Sequence, residues 1–168
     1  MGGSTLYDDD ILLWSEQQAA AIRRLRDGRI TVPNELDIDN VAEEIESVGR
    51  SELAAVESHI ELILVHLVKL VAAPETEPAR HWRGELAAFH SGLRRRFVPS
   101  MRSRIDMSTL WSDARAQVEM GGNAAEQAMI AELPGDCPLM LDDLLGPRLD
   151  LGTLEALLRD ARARGQHG

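Results

Sequence analysis

Apolar residues recur at helical spacing along most of this chain, and the longest such run without an internal proline extends from Asp39 to Ala73. Val41, Ile45 and Val48 carry the first half. Leu53, Val56, Ile60, Ile63, Leu67 and Leu70 carry the second in alternating steps of three and four. The step of five between Val48 and Leu53 shifts the stripe at Gly49-Arg50-Ser51, where glycine weakens a helix and serine can restart one, so a kink or short break is expected near Gly49. From Leu62 to Val68 only His66 interrupts an apolar surface, the pattern of a helix covered on several sides.

The remaining elements read as helices around this one. Tyr7 to Asp27 forms a first helix, with Asp8, Asp9 and Asp10 at its start and Arg23, Arg24 and Arg26 near its end, both favourable to the helix dipole. Gly28 and Pro33-Asn34 close it, and Asp37 or Asp39 caps the long helix. Pro74 to Pro78 separates the long helix from a third, starting near Ala79 with Trp82, Leu86, Phe89, Leu93 and Phe97 on one face. A fourth region runs from Ser100 to Met120 with a recap at Ser108, followed by an Asn123-capped helix to Leu133, a short helix at Leu139–Leu145 and a terminal one capped by Thr153. No strand-and-hairpin pattern occurs. The expected fold is all-α: one domain over residues 1–168, a helical bundle of about four main helices with short C-terminal ones.

Composition supports helix, with 4% aromatic residues and 44% apolar in 168 residues. A net charge of −10 argues against nucleic-acid binding. A single cysteine, Cys137, together with the lack of a basic-plus-apolar leader, points to a reducing cytoplasm, and the most apolar run, Ile60 to Ala73, is too short for a bilayer. Met1-Gly2 does not open a myristoylation signal, because Leu6 stands where Ser or Thr is required.

Tyr7-Asp8-x-Asp10 with Trp14, then Asp39-x-Val41-x-Glu43-Glu44-Ile45-Glu46-Ser47-Val48-Gly49-Arg50-Ser51-Glu52, form a recognisable signature. It continues through Glu57-Ser58, His66-Leu67-Val68-Lys69, Ser100 after Pro99, Leu133-Pro134 and Cys137-Pro138. In these residues the chain resembles the bacterial domain-of-unknown-function family 29 over about Tyr7 to Pro147, with residues 148–168 as an extension. Val48 and Val68 depart from the family's leucines. The resemblance implies a helical cytoplasmic protein and supplies no catalytic residues.

Candidate chemistry is sparse. Glu43, Glu46, His59 and His66 invite a metal or general-base reading, yet no Glu-x-x-His element occurs, and His59 and His66 are seven residues apart, about 10 Å along a helix. They read as packing histidines at a helix interface. Glu46 and Arg50 have the spacing of an intrahelical ion pair, and Lys69 completes the candidate interface set. Asp8, Asp9 and Asp10 lack the spacing of a calcium loop and read as capping residues. Cys137 beside Pro138 reads as a loop thiol. No phosphate loop, dinucleotide fingerprint, hydrolase elbow or paired-cysteine motif is present, so neither metal nor cofactor is expected.

Charge is unevenly spread. From Glu35 to Glu61 nine acids face one base, Arg50, whereas from Arg80 to Arg104 seven arginines, among them Arg94, Arg95, Arg96, Arg102 and Arg104, face only Glu85. Two opposed faces result, which pair within the chain or dock an oppositely charged partner. The expected function is a non-enzymatic interaction or regulatory module that self-associates. The alternatives are a metal-binding or enzymatic bundle using Glu43, Glu46, His59 and His66, and an antitoxin-like protein masking a basic partner.

Overall fold

The computed structural model describes residues 5–28 and 31–165, and these contain eight α-helices and no strand. In order they are α1 (Leu6–Asp9), α2 (Ile11–Asp27), α3 (Ile38–Ala72), α4 (Glu77–Arg96), a 3-10 turn (Pro99–Ser103), α5 (Met107–Gly121), α6 (Ala124–Glu132), α7 (Leu141–Leu145) and α8 (Leu151–Gly165). The chain clusters into two compact units. One comprises residues 1–56 and 96–105, the other residues 57–95 and 106–168, with α3 contributing to each.

The all-helical expectation holds, with corrections at the element ends. The first helix is two, because Asp10 leaves helical geometry and its carboxylate accepts from the Leu13 N–H at 3.0 Å, capping α2. Asp37 is the residue that caps α3, accepting from the Asn40 N–H at 3.1 Å. Helix α4 starts two residues early: Pro78 sits in its first turn, where a missing N–H costs nothing. The fourth region opens as a 3-10 turn, and α5 is capped by Asp106, not Ser108, whose N–H instead donates to the Asp106 carboxylate at 2.9 Å. Thr153 likewise donates rather than caps, since α8 begins at Leu151 and Asp150 accepts the Thr153 N–H at 3.1 Å.

The expected break at Gly49 is absent, for α3 runs unbroken over 35 residues. Gly49 is there for proximity. It is buried, and a Cβ on it would overlap Ser15 Oγ and stand 3.1 Å from Leu12 Cα, so α2 crosses α3 closely only because no side chain intervenes. Ser15 is itself fully buried and turns its hydroxyl back to the Leu12 carbonyl at 2.9 Å.

The two units bury different materials. In the first, the buried apolar side chains are mostly small or few: Leu12, Ala19, Ala42, Val56 and Met101. In the second, Ile60, Ile63, Leu64, Leu67, Val68 and Leu70 of α3 are covered, together with Leu86 and Leu93 of α4, Trp111 and Val118 of α5, Ile130 of α6, Leu144 of α7, and Leu154 and Leu158 of α8. The apolar stripe read from the sequence is thus the core of the second unit. The first unit must be held to a larger degree by polar contacts, and the signature residues Asp10, Glu43, Glu46, Arg50 and Ser100 take part in them.

Candidate functional site

The acidic half of α3 faces α2, and the contact is ionic. Arg23 Nη2 lies 2.5 Å from Glu46 Oε2 and 3.6 Å from Glu43 Oε2, while Arg26 pairs with Asp39. Arg50 pairs with Glu43 and lies 3.8 Å from Glu46. The intrahelical pair expected from the i, i+4 spacing therefore exists, but the nearer partner of Glu46 belongs to another helix. Arg23 had no local signal in the sequence, because only the crossing of α2 over α3 makes it a neighbour. The hydrogen bond from Arg23 holds the Glu46 carboxyl below its ordinary range against the opposing effect of burial, and the same bond raises the Arg23 guanidinium. A carboxylate kept ionised between two guanidiniums is poorly suited to exchange protons at neutral pH.

Glu46 and Arg50 also line a hollow of about 250 Å³ with Glu16 and Arg104 and an apolar floor of Leu12 and Leu53. Arg104 Nη2 meets Glu16 Oε1 at 2.8 Å. Two carboxylates thus answer two guanidiniums around the rim, leaving no net charge to attract an ion.

The signature's Asp10 and Ser100 meet in the same unit. Ser100 Oγ–H donates to Asp10 Oδ1 at 2.6 Å and Ser100 N–H to Asp10 Oδ2 at 3.1 Å. Asp10 is 7% exposed. Burial works to raise its pKa, but the bonds from Ser100 and Leu13 outweigh it and leave the carboxyl below its ordinary value. One side chain therefore caps α2 and anchors the 3-10 turn. Asp8 also serves a helix end, through a capping box with Thr5.

In the second unit His66 is 8% exposed, its Nδ1 2.8 Å from the Leu62 carbonyl oxygen and its Nε2 3.0 Å from Glu85 Oε2, with the ring edge-on to Phe89 at 5.1 Å. His59 packs on Gly92, where a Cβ would overlap the imidazole. Both are helix-interface histidines, each with its own partners. Lys69 lies half-buried in the last turn of α3, where its charge suits the helix dipole. Glu43 and Glu46 belong to the first unit and His59 and His66 to the second. No group of three or more His, Cys, Asp or Glu placed to hold a metal ion occurs among the described residues.

The basic stretch is divided among separate tasks. Arg96 pairs with Glu52 at 2.7 Å, Arg102 lies over the Phe97 ring at 5.9 Å, and Arg104 serves Glu16. Arg94 donates to the Pro147 carbonyl at 2.9 Å, and Arg95 is exposed. Of the opposed-charge pairing expected within the chain, Arg96–Glu52 joins the two stretches directly, while Asp39, Glu43 and Glu46 are met from α2. Burial pushes the Cys137 thiol up, a hydrogen bond from Leu139 opposes this, and Asp143 adds to it, the reverse of an activated nucleophile.

No helix among the described residues is long and apolar enough to cross a membrane. No curated protein matches the chain at a significant level. A crystal structure of an alpha-helical protein of unknown function from Rhodospirillum rubrum is similar, with 31% identity and a TM-score of 0.78 over 92% of this chain and 98% of that one. The signature residues, the helical fold they stabilise and a family match over residues 6–149 agree, and the chain belongs to the family described as domain of unknown function DUF29.

Proposed function

We propose that this protein is a non-enzymatic helical interaction module that self-associates and acts in the cytoplasm. The observation that carries the reading is the engagement of Glu46, the carboxylate at the centre of the family signature, by Arg23 and Arg50. The signature there is spent on joining helices. His66 is engaged in the same way by Leu62 and Glu85, so the enzymatic or metal-binding alternative draws no support from its own residues. The antitoxin-like alternative weakens too, since Arg23 and Arg50 already cover Glu43.

The outward stripe of α3 in the first unit, Glu44, Val48, Ser51 and Ala54, is exposed and nearly free of charge past Glu44, and Val48 is 43% exposed. Small residues at such spacing let a second helix approach closely. A second copy is the partner we assign to it. Cys137 as a free thiol suits a reducing compartment.

Sedimentation velocity across the micromolar range at low and moderate salt tests this. A dimer or larger species that Val48→Asp converts to monomer is the expected result. A strict monomer under all these conditions overturns self-association.

A further inference from the structure

We infer a binding site for a small organic carboxylate in the second unit, between α4 and the loop leading into α8. A hollow of about 240 Å³ opens there, lined on the α4 side by Arg83, Leu86, Ala87 and His90. Pro147, Arg148, Leu149 and Leu151 form the other side. That volume lies below the roughly 300–1,000 Å³ of pockets for drug-sized ligands, so it suits a short organic acid better than a nucleotide.

Charge selects the ligand. In a chain of net charge −10, this lining holds two arginines and no acid. Neither Arg83 nor Arg148 has an ion-pair partner among the described residues, whereas Arg23, Arg26, Arg50, Arg96, Arg104, Arg159 and Arg162 each have one. The nearby Asp150 carboxylate is already taken by the Thr153 N–H at 3.1 Å and the Thr153 hydroxyl at 2.8 Å. A neighbouring hollow of about 450 Å³ shares Arg83 and includes Glu75 and Glu77, but it also carries Arg80. Guanidinium groups bind carboxylates through charge-assisted paired hydrogen bonds, and Ala87, Leu149 and Leu151 offer accessible apolar surface that a bare inorganic anion would not use.

The loop is also fixed in advance. His90 Nε2 lies 3.1 Å from the Gly146 carbonyl oxygen, and one turn further along α4, Arg94 donates to the next carbonyl, that of Pro147. The Leu151 N–H closes on the Leu149 carbonyl at 3.1 Å. Two helix side chains clamping consecutive carbonyls hold the backbone that presents Arg148, so a ligand need not order it on binding. This site is independent of the self-association surface on α3.

The test is an NMR titration of the full chain with hexanoate, hexanol, inorganic phosphate and N-acetyl-leucine. Hexanoate is expected to shift resonances of residues 83–90 and 147–151 saturably. Arg83→Gln and Arg148→Gln each weaken it by about tenfold, while Arg159→Gln, which removes a surface pair with Glu155 on α8, leaves it unchanged. Both lining arginines are exposed, so the variants are expected to fold, with circular dichroism as the check. N-acetyl-leucine binding more tightly than hexanoate assigns the carboxylate to a polypeptide C terminus; the reverse order assigns it to a free acid. Hexanol or phosphate binding as well as hexanoate, unchanged binding by both arginine variants, or no saturable shift up to the solubility of the acid overturns the proposal.

Discussion

Asp10 and Ser100, ninety positions apart in the chain, are joined by two hydrogen bonds to one buried carboxylate that also caps α2. The pair ties the start of the chain to the turn after α4 in a unit with little apolar core. Asp10→Ala removes a cap and strands the Ser100 donors, so a loss of about 2–4 kcal/mol is expected in urea unfolding. Ser100→Ala should cost less, since it leaves the cap and the Ser100 N–H bond in place. Equal stability of Asp10→Ala and the parent chain would contradict this role.

The same carboxyl gives a pH dependence. Its folded pKa lies below the unfolded value, which is about 3.9 for aspartate, so its stabilisation is complete above that value and is lost as pH falls through the folded one. Asp10→Asn should therefore be less stable than the parent at neutral pH, with the gap narrowing in acid. A gap that widens on acidification contradicts this.

Three glycines separate backbone need from helix propensity. Gly84 has nothing within 4 Å of the place a methyl group would take, so Gly84→Ala should stabilise by about 0.5–1 kcal/mol. Gly49→Ala forces α2 from α3, with Leu12 backbone in the way, and should destabilise by about 1–3 kcal/mol despite the gain in propensity. Gly92→Ala meets the His59 ring first, a side chain able to turn aside, and should fall between them. Thermal melts of the three variants give the order directly.

Arg23 and Glu46 form a reciprocal test. Arg23→Glu places like charges opposite one another and should lower the urea midpoint, more so at low salt because both groups are partly exposed. Adding Glu46→Arg restores the opposite charges and should recover part of the loss. A double variant no better than the single one would mean that the pair does not couple α2 to α3.

Cys137 should react slowly. Its thiol is half-buried and its pKa raised, so alkylation by iodoacetamide at pH 8 is expected to lag that of free cysteine and to reach the free rate only on unfolding. Labelling of the folded chain as fast as free cysteine would contradict the burial.

Sequence periodicity by itself determined the helices and the apolar stripe from Val56 to Leu70, because helical spacing is a local property and, once a segment is helical, residues three or four positions apart share a face whatever packs against it. It also showed caps at Asp10 and Asp37, since a cap bonds to backbone a few residues ahead, but it chose Ser108 and Thr153 where Asp106 and Asp150 accept the N–H bonds. Only the tertiary structure decided the meaning of Gly49, whose absent side chain matters because Ser15 and Leu12 lie against it. The same holds for Glu46, whose nearer partner is Arg23, and for His66, which meets Glu85 from the next helix. A break and a close approach both call for glycine, and a free carboxylate and a paired one are written with the same letter. What distinguishes them is which surface arrives opposite, and that is fixed by how the helices pack.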